Sequence, residues 1–449
     1  MFQLLCAVYV AATLAHVQSR PAVDKGYFWH VSDFHYDLTY WTKGLSCNGP
    51  VPTPGPYGDY WCDAPWSLVQ DSIKAMAEVK ADVDFVLWTG DNVAHIDDKY
   101  MDLETNLAIM KNVTSAINAS FPSVPVYPSL GNHDFYPHDQ AEAKTDRMYK
   151  SMAAMWAGWI KDPEQIDNFR KGGYYTSLVR PGLRLLGLNT ILYFFPNPLT
   201  KNMTDPTGQF EWMERVLTSA RANGEKVLVS AHVPPGLFVP DFIYWMYPQY
   251  QHSFHRIMLD FSDVIAGQYY GHDHTDTFKI VQNEKGQQAS PMYTAPSVTP
   301  WRYRAPTKSG DPHNPGVRLV EYDRTTGLGL NYMQYFINLT DSNRQNATHW
   351  TVLYNFQDAY KVPDMSVTSL RKIFHSMRHK GSEPMLKYCD YLMVSNYTQT
   401  CTDEMQAEIW CGGQIEDMTT AKKCIKKYKS GAVDLESLGL NNVVMMNGG

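Results

Sequence analysis

Short apolar runs recur through the first two-thirds of the chain, and each stops at polar residues rich in Asp, Asn or His. The series is YFWHVSDFH, VDFVLWTGD, VPVYPSLGNHD, KVLVSAHVPPG and DVIAGQYYGHDH. Each reads as a buried strand that leaves the apolar interior abruptly. Between them the apolar period lengthens to that of amphipathic helices over residues 65–81, 102–120 and 208–224, the last closing on Gly224 as a C-cap. This alternation predicts an α/β architecture with largely parallel pairing, in which a site forms beyond the carboxyl ends of the strands. After residue 285 the strand-like pieces SPMYTAPSVTP, GVRLVEYD and LNYMQYFINLT are expected to complete a second sheet. From about residue 360 helical patterning returns, together with four of the cysteines.

Composition narrows the setting. A chain of 449 residues with 44% hydrophobic content folds as a globular protein. Its net charge of −7 argues against a surface that coats nucleic acid, so a phosphate-bearing partner would be held by a local positive centre. Residues 1–19, MFQLLCAVYVAATLAHVQS, read as a secretory signal peptide, because the run from Phe2 to Ala15 is short for a membrane span. Removing it removes Cys6 and leaves Cys47, Cys62, Cys389, Cys401, Cys411 and Cys424. Six cysteines allow fifteen pairings. Their clustering favours near neighbours, Cys47 with Cys62, Cys389 with Cys401 and Cys411 with Cys424. Glycosylation acceptors occur at Asn112, Asn118, Asn202, Asn338, Asn346 and Asn396. Neither a later transmembrane segment nor a lipid-anchor tail is expected. The picture is a secreted monomeric glycoprotein, extracellular or resident in lysosomes.

The polar strand ends hold the candidate chemistry. Asp33 and His35 lie two apart, Asp91 ends the second strand, Asn132 and His133 follow the third, His232 the fourth, and His272 and His274 are again two apart. Any one of these alone reads as a cap or a turn. Together, carboxylates, imidazoles and one amide oxygen suit a pair of divalent transition metals. Asp33, His35, Asp91 and His274 complete one site; Asp91, Asn132, His232 and His272 complete the other. Asp91 stands between them, since a carboxylate has two oxygens to share. His30, inside the first strand, reads as structural.

The blocks DFH, GD, GNHD, AH and GHDH resemble the signature of calcineurin-like metallophosphoesterases. FWHVSDFHYDLTY, GPYGDYWCDAPWSL, LWTGDNVAH, LGNHDFYP, LNTILYF, QFEWME, AHVPPG, VIAGQYYGHDHTD and NPGVRLVEYD resemble, more narrowly, the acid sphingomyelinase-like phosphodiesterases, over about residues 27 to 430. The resemblance implies a four-layer α/β/β/α sandwich over residues 26–355 and a disulfide-stapled helical region over 356–449. It also implies two Zn²⁺ held by the ligands named above, with His133, assisted by His95, protonating the leaving group after attack by a metal-activated hydroxide. Asp134 is expected to orient His133. A purple acid phosphatase would need a tyrosine where this chain has Ala94. Relatives that handle sphingomyelin carry a preceding saposin domain, for which no room is expected ahead of Tyr27. A small phosphate ester is therefore the expected substrate, a nucleotide (ATP-like, CDP-choline or a cyclic dinucleotide) favoured over sphingomyelin, with a catalytically silent binding protein the remaining reading. Tyr193, Phe194, Phe195, Trp301 and Tyr303 are candidates to stack on a base, and Arg302 and Arg304 to meet phosphate.

Overall fold

The computed structural model describes residues 23–431 except 52, 240–242, 284–288, 303, 305–309 and 397–400. Residues 1–19, expected as a signal peptide and including Cys6, lie outside the described residues, as do Tyr303 and residues 432–449. Fourteen described strands run β1 (Lys25–Val31), β2 (Phe85–Trp88), β3 (Val126–Pro128), β4 (Tyr175–Arg180), β5 (Leu183–Gly187), β6 (Lys226–Ser230), β7 (Leu237–Phe238), β8 (Ile243–Tyr244), β9 (Ile265–Tyr270), β10 (Thr277–Gln282), β11 (Ala289–Thr294), β12 (Gly316–Asp323), β13 (Gly329–Phe336) and β14 (Thr351–Asn355). One sheet takes the order β14-β13-β12-β1-β2-β3, the other β10-β11-β9-β6-β5-β4, and β7 pairs with β8.

Alternation along β1 stacks the layers. Phe28 points to the second sheet and meets Tyr269 edge-on with centroids 5.3 Å apart. Trp29, on the opposite face, donates its indole N–H to the carbonyl of Lys80, the last residue of helix α1 (Trp66–Lys80), at 3.0 Å. Helices α2 (Leu103–Ser120), α3 (Arg147–Ile160) and α4 (Pro163–Gly172) join α1 on that side, where Trp88 packs edge-on against Trp156 of α3 at 5.5 Å. Helices α5 (Gln209–Ala222) and α6 (Pro248–Asp260) cover the far face of the second sheet. The expected four layers, α/β/β/α, are thus present.

The three helices expected from periodicity form at Trp66–Lys80, Leu103–Ser120 and Gln209–Ala222. The last ends at Asn223, and Gly224 follows with φ +67°, the left-handed residue just past the helix. Pairing is parallel along β1-β2-β3 and β5-β6-β9-β11; antiparallel strands flank the second sheet on both sides, and the first on the β12 side alone, with β3 its parallel edge. The strands after residue 285 divide rather than completing one sheet. β11 enters the second sheet, while β12, β13 and β14 extend the first from the free edge of β1. Arg318 on β12 faces inward and binds Asp276 in the turn leading to β10, while also donating to Gln334 and the Thr294 carbonyl. Tyr354 donates to the other Asp276 oxygen at 2.7 Å. This buried network joins the two sheets. His30 lies fully buried between them, edge-on to Tyr269, in the structural role expected.

Helices α7 (Leu339–Gln345) and α8 (Phe356–Tyr360) lead to α9 (Val367–Ser376), α10 (Glu383–Leu392), α11 (Asp403–Gly412) and α12 (Met418–Lys429). The disulfides are Cys47–Cys62, Cys389–Cys401 and Cys411–Cys424, the near-neighbour set. Asn112, Asn118, Asn202, Asn338 and Asn346 are exposed. The Asn396 amide nitrogen is buried, and the two residues that complete its acceptor triplet lie outside the described residues. Among the described residues no helix is long and apolar enough to cross a membrane.

Removing Arg318 while leaving Asp276 strands a buried carboxylate, so Arg318→Ala is expected to destabilise the protein by about 3–5 kcal/mol, read from the midpoint of urea unfolding.

Candidate active site

β1, β2, β3, β6 and β9 all run parallel within their sheets, and their carboxyl ends open at one edge of the sandwich. Each loop then turns sharply. Asp33, His35, Asp91, His272 and His274 all adopt positive φ, between +41° and +70°, which is costly for residues bearing a Cβ. Cross-loop bonds hold them there: the Asp33 N–H donates to the Gly90 carbonyl at 2.9 Å and the His35 N–H to the Asp91 carbonyl at 3.1 Å. Glycine lets the loops meet, since a Cβ on Gly131 would lie 2.0 Å from Asp91 Oδ1.

The seven expected ligands converge as two sets that share Asp91. In the first, His35 Nε2 lies 3.4 Å from Asp91 Oδ2, 3.7 Å from Asp33 Oδ1 and 3.1 Å from His274 Nε2, and His274 Nε2 lies 3.4 Å from Asp33 Oδ1. In the second, His232 Nε2 lies 3.1 Å from both Asp91 Oδ2 and Asn132 Oδ1, and His272 Nδ1 lies 2.9 Å from Asn132 Oδ1. All are buried or nearly so.

The donor chemistry fits divalent cations. His35 Nδ1 sits 2.7 Å from the Val93 carbonyl and His232 Nδ1 2.7 Å from the Thr89 carbonyl. A carbonyl only accepts, so each Nδ1 carries the hydrogen and each Nε2 turns a lone pair to the centre. Lone pair would then face carboxylate oxygen at little over 3 Å, which is repulsive unless positive charge stands between them. Protonation is one source of that charge. Burial lowers the basicity of His35 and His232, but the Asp33 and Asp91 carboxylates outweigh it and push each up to about 9. Two cations would supply the charge without any proton.

His95 and His133 sit on the open side of this centre. The His95 ring stacks on Trp301 at 3.7 Å and on His35 at 4.1 Å, and lies 4.3 Å from the His133 ring. It offers a ring nitrogen within 4.8 Å of the ligand atoms of His35 and His274. Burial, with the neighbouring imidazoles, lowers the basicity of both His95 and His133. The His133 backbone N–H donates to Asp91 Oδ1 at 2.9 Å.

One site residue was not singled out from sequence. Asp63 is fully buried, accepts the His95 N–H at 2.6 Å and lies 3.0 Å from His95 Nδ1, so it turns His95 Nε2 outward. Its place beside Cys62, within the quoted WCDAPW block, was the available signal. Asp134 does not orient His133. Its carboxylate is taken up by the backbone N–H groups of Asp91, Asn92 and Gly131 and by the Asn92 amide, because it lies beneath the loops rather than beside the ring. Tyr193 is likewise no base platform: it is buried and stacked on Phe210 at 4.2 Å. Phe194 is buried edge-on to His272, while Phe195 is exposed. Arg302 lies over the Trp61 ring at 3.6 Å, and Arg304 reaches the Asn48 carbonyl.

Comparison with known proteins agrees with this geometry. The profile of the Calcineurin-like phosphoesterase family matches residues 26–276, and that of the Acid sphingomyelin phosphodiesterase C-terminal region matches residues 287–431. The chain is 35% identical to human Acid sphingomyelinase-like phosphodiesterase 3b, covering 93% of each chain. It is 35% identical to bovine Cyclic GMP-AMP phosphodiesterase SMPDL3A, covering 94% of this chain and 95% of that one. It is 33% identical to Sphingomyelin phosphodiesterase A of Dictyostelium discoideum, covering 89% of this chain and 68% of that one.

Because Asp91 faces both donor sets, Asp91→Asn is expected to deplete both metals at once, whereas His274→Ala should weaken one. Metal analysis of the purified variants distinguishes them.

Proposed function

Since the chain belongs to the calcineurin-like phosphoesterase family, we propose that this phosphoesterase is a secreted di-zinc phosphodiesterase of nucleotides, with residues 26–355 as its catalytic unit and residues 356–449 appended to it. The observation that carries this reading is the convergence of Asp33, His35, Asp91, Asn132, His232, His272 and His274 as two donor sets around one shared carboxylate. Imidazole, carboxylate and amide ligands suit Zn²⁺ among the divalent ions. When bound, the cation pair supplies Lewis acidity, activating water as a nucleophile and neutralising phosphoryl oxygens.

The remaining work falls to side chains. His133, fixed through its backbone to Asp91, is the proton donor to the departing oxygen in this reading. His95, turned by Asp63 and clamped by Trp301, presents Nε2 to the same side and binds the phosphoryl group or the leaving oxygen. Asp63 thereby acts as a positioning residue that fixes which nitrogen of the stacked His95 ring faces the substrate side.

Nucleotide specificity is supported by the similarity to the cyclic GMP-AMP phosphodiesterase and by aromatic rings beside the metal ligands. Trp301 lies on the His95 side, and Trp245 packs edge-on to His272 at 4.6 Å. Sphingomyelin is the second reading, supported by the similarity to the Dictyostelium sphingomyelin phosphodiesterase. Three disulfides and five exposed glycosylation acceptors support an oxidising, secretory setting.

Two measurements test the proposal. Hydrolysis of ATP, a cyclic dinucleotide and sphingomyelin micelles, run in parallel at about pH 5 and about pH 7 with a chelator control, separates the substrates. Chelator-sensitive turnover of nucleotides alone is expected; turnover of sphingomyelin alone would reverse the substrate assignment and keep the centre. His133→Ala is expected to retain both metals and to lose about 10²–10⁴-fold in turnover, most on substrates with poor leaving groups. Undiminished turnover in a metal-replete His133→Ala protein would remove His133 from the proton-donor role.

A further inference from the structure

Six of the seven donors at the metal centre are carboxylates or imidazoles, whose lone pairs face the centre once the ring or carboxylate is in place. Asn132 is different. Its amide has one end with lone pairs and one end with two hydrogens, and the two ends are nearly equal in size. A half-turn about one bond would aim the NH₂ group at the cations and cost the second site a ligand. Something must decide which end faces inward.

We propose that Asp139 is that device, a positioning residue for the metal centre whose carboxylate fixes the Asn132 amide with its oxygen inward. The inference rests on the dimetal reading and deepens it. Asn132 Nδ2 donates to Asp139 Oδ1 at 2.8 Å. A carboxylate only accepts, so the amide end opposite it must be the donor end, and the oxygen is left 3.1 Å from His232 Nε2 and 2.9 Å from His272 Nδ1. The same two residues are joined a second time, because the Asp139 backbone N–H donates to the Asn132 carbonyl at 2.9 Å. Asp139 takes φ +67° to make both bonds, a conformation that Asp tolerates better than most residues.

The carboxylate is itself steadied. Its second oxygen lies 3.6 Å from His138 Nε2, and His138 Nδ1 lies 3.0 Å from Asp98 Oδ1, so His138 stands between two acids. The backbone bond suffices to close the 132–139 loop. The carboxylate does something the loop does not need: it orients the amide and, carrying charge, polarises Nδ2–H so that more electron density lies on Oδ1.

Removal and exchange of the pair test this on the full chain, stripped of metal and titrated with Co²⁺ by visible absorption, with bound ions counted after gel filtration. The wild type should take up two ions. Asp139→Ala should bind one ion as the wild type does and the other about 10–100-fold more weakly, with the melting temperature of the stripped protein unchanged. Asn132→Asp alone sets two carboxylates against each other and should also weaken the second ion. Asn132→Asp combined with Asp139→Asn puts a donor opposite an acceptor again and should recover affinity over Asn132→Asp alone. A purely structural role would not predict that recovery. Wild-type affinity for both ions in Asp139→Ala, or an exchanged pair no better than Asn132→Asp, overturns the proposal. A wild type that binds no Co²⁺ overturns the dimetal reading and this inference with it, an outcome distinct from the other two. Should Asp139→Ala fail to fold, the comparison of Asn132→Asp with the exchanged pair still decides.

Discussion

Asp33 and Asp91 are buried side by side at the ends of two neighbouring strands, and among the described residues neither is paired with a lysine or arginine. Burial alone would drive both carboxyls toward the neutral acid. Instead the histidines around them, His274 and His35 at Asp33, His232 and His35 at Asp91, hold both well below the ordinary carboxylate range. A cluster of this kind is stable only when positive charge is delivered to its centre. Much else in this half of the molecule can be understood as what it takes to bring those two carboxylates to one point. Parallel strands bring the loops to one edge, glycines at 90 and 131 let backbones approach, Gly271 makes room for the Ser32 and Asp33 side chains, and five candidate ligands accept left-handed backbone.

That strain is balanced by acids that never meet the centre. Asp134 gathers N–H groups from the loop after β2 and the loop after β3, so the shared ligand and the amide ligand are positioned by one buried carboxylate. Burial and the Asp91 charge push its carboxyl up to about 6, and the N–H groups of Gly131 and Asn92 act against that rise. Asp63 does the same for the loop carrying His95, and it also accepts from Thr299, whose own N–H donates to the Asp33 carbonyl. The ligands are thus backed by a ring of carboxylates that bind backbone rather than metal, which is how a loop-built site acquires the rigidity of a strand-built one.

The division between what the sequence disclosed and what it hid follows from range. The convergence of the seven candidate ligands was legible because each lies at a strand end, where an abrupt change from apolar to polar is local and strong. The near-neighbour disulfides were legible for the same reason. Asp63 was not, because its partner His95 is 32 residues away and nothing about an acid beside a cysteine announces it. Asp134 was misassigned because adjacency in GNHD suggests contact with His133, whereas the turn sends the two side chains to opposite sides of the loop. The strands after 285 were recognised as strands but placed together, since strand propensity does not carry the identity of the sheet; that lies in pairing with partners far along the chain, β12 with β1 and β11 with β9. Tyr193 was grouped with its exposed neighbour Phe195 because an aromatic run does not reveal which ring turns inward.

The aromatic surroundings of the centre explain why one scaffold can stand so near two substrate classes. Trp301 backs His95 on one side, and Trp245, held by its N–H to Asp273, flanks His272 on the other. An indole face stacks on a nucleobase, and it also attracts a quaternary ammonium group through its quadrupole. The rings therefore select for a flat or cationic substituent without choosing between base and choline. The phosphoryl end does not choose either, because both classes present a phosphodiester or anhydride to the same donors. Discrimination must come from what the remainder of the substrate meets: water and polar groups suit a second phosphate or ribose, whereas a ceramide requires continuous apolar surface.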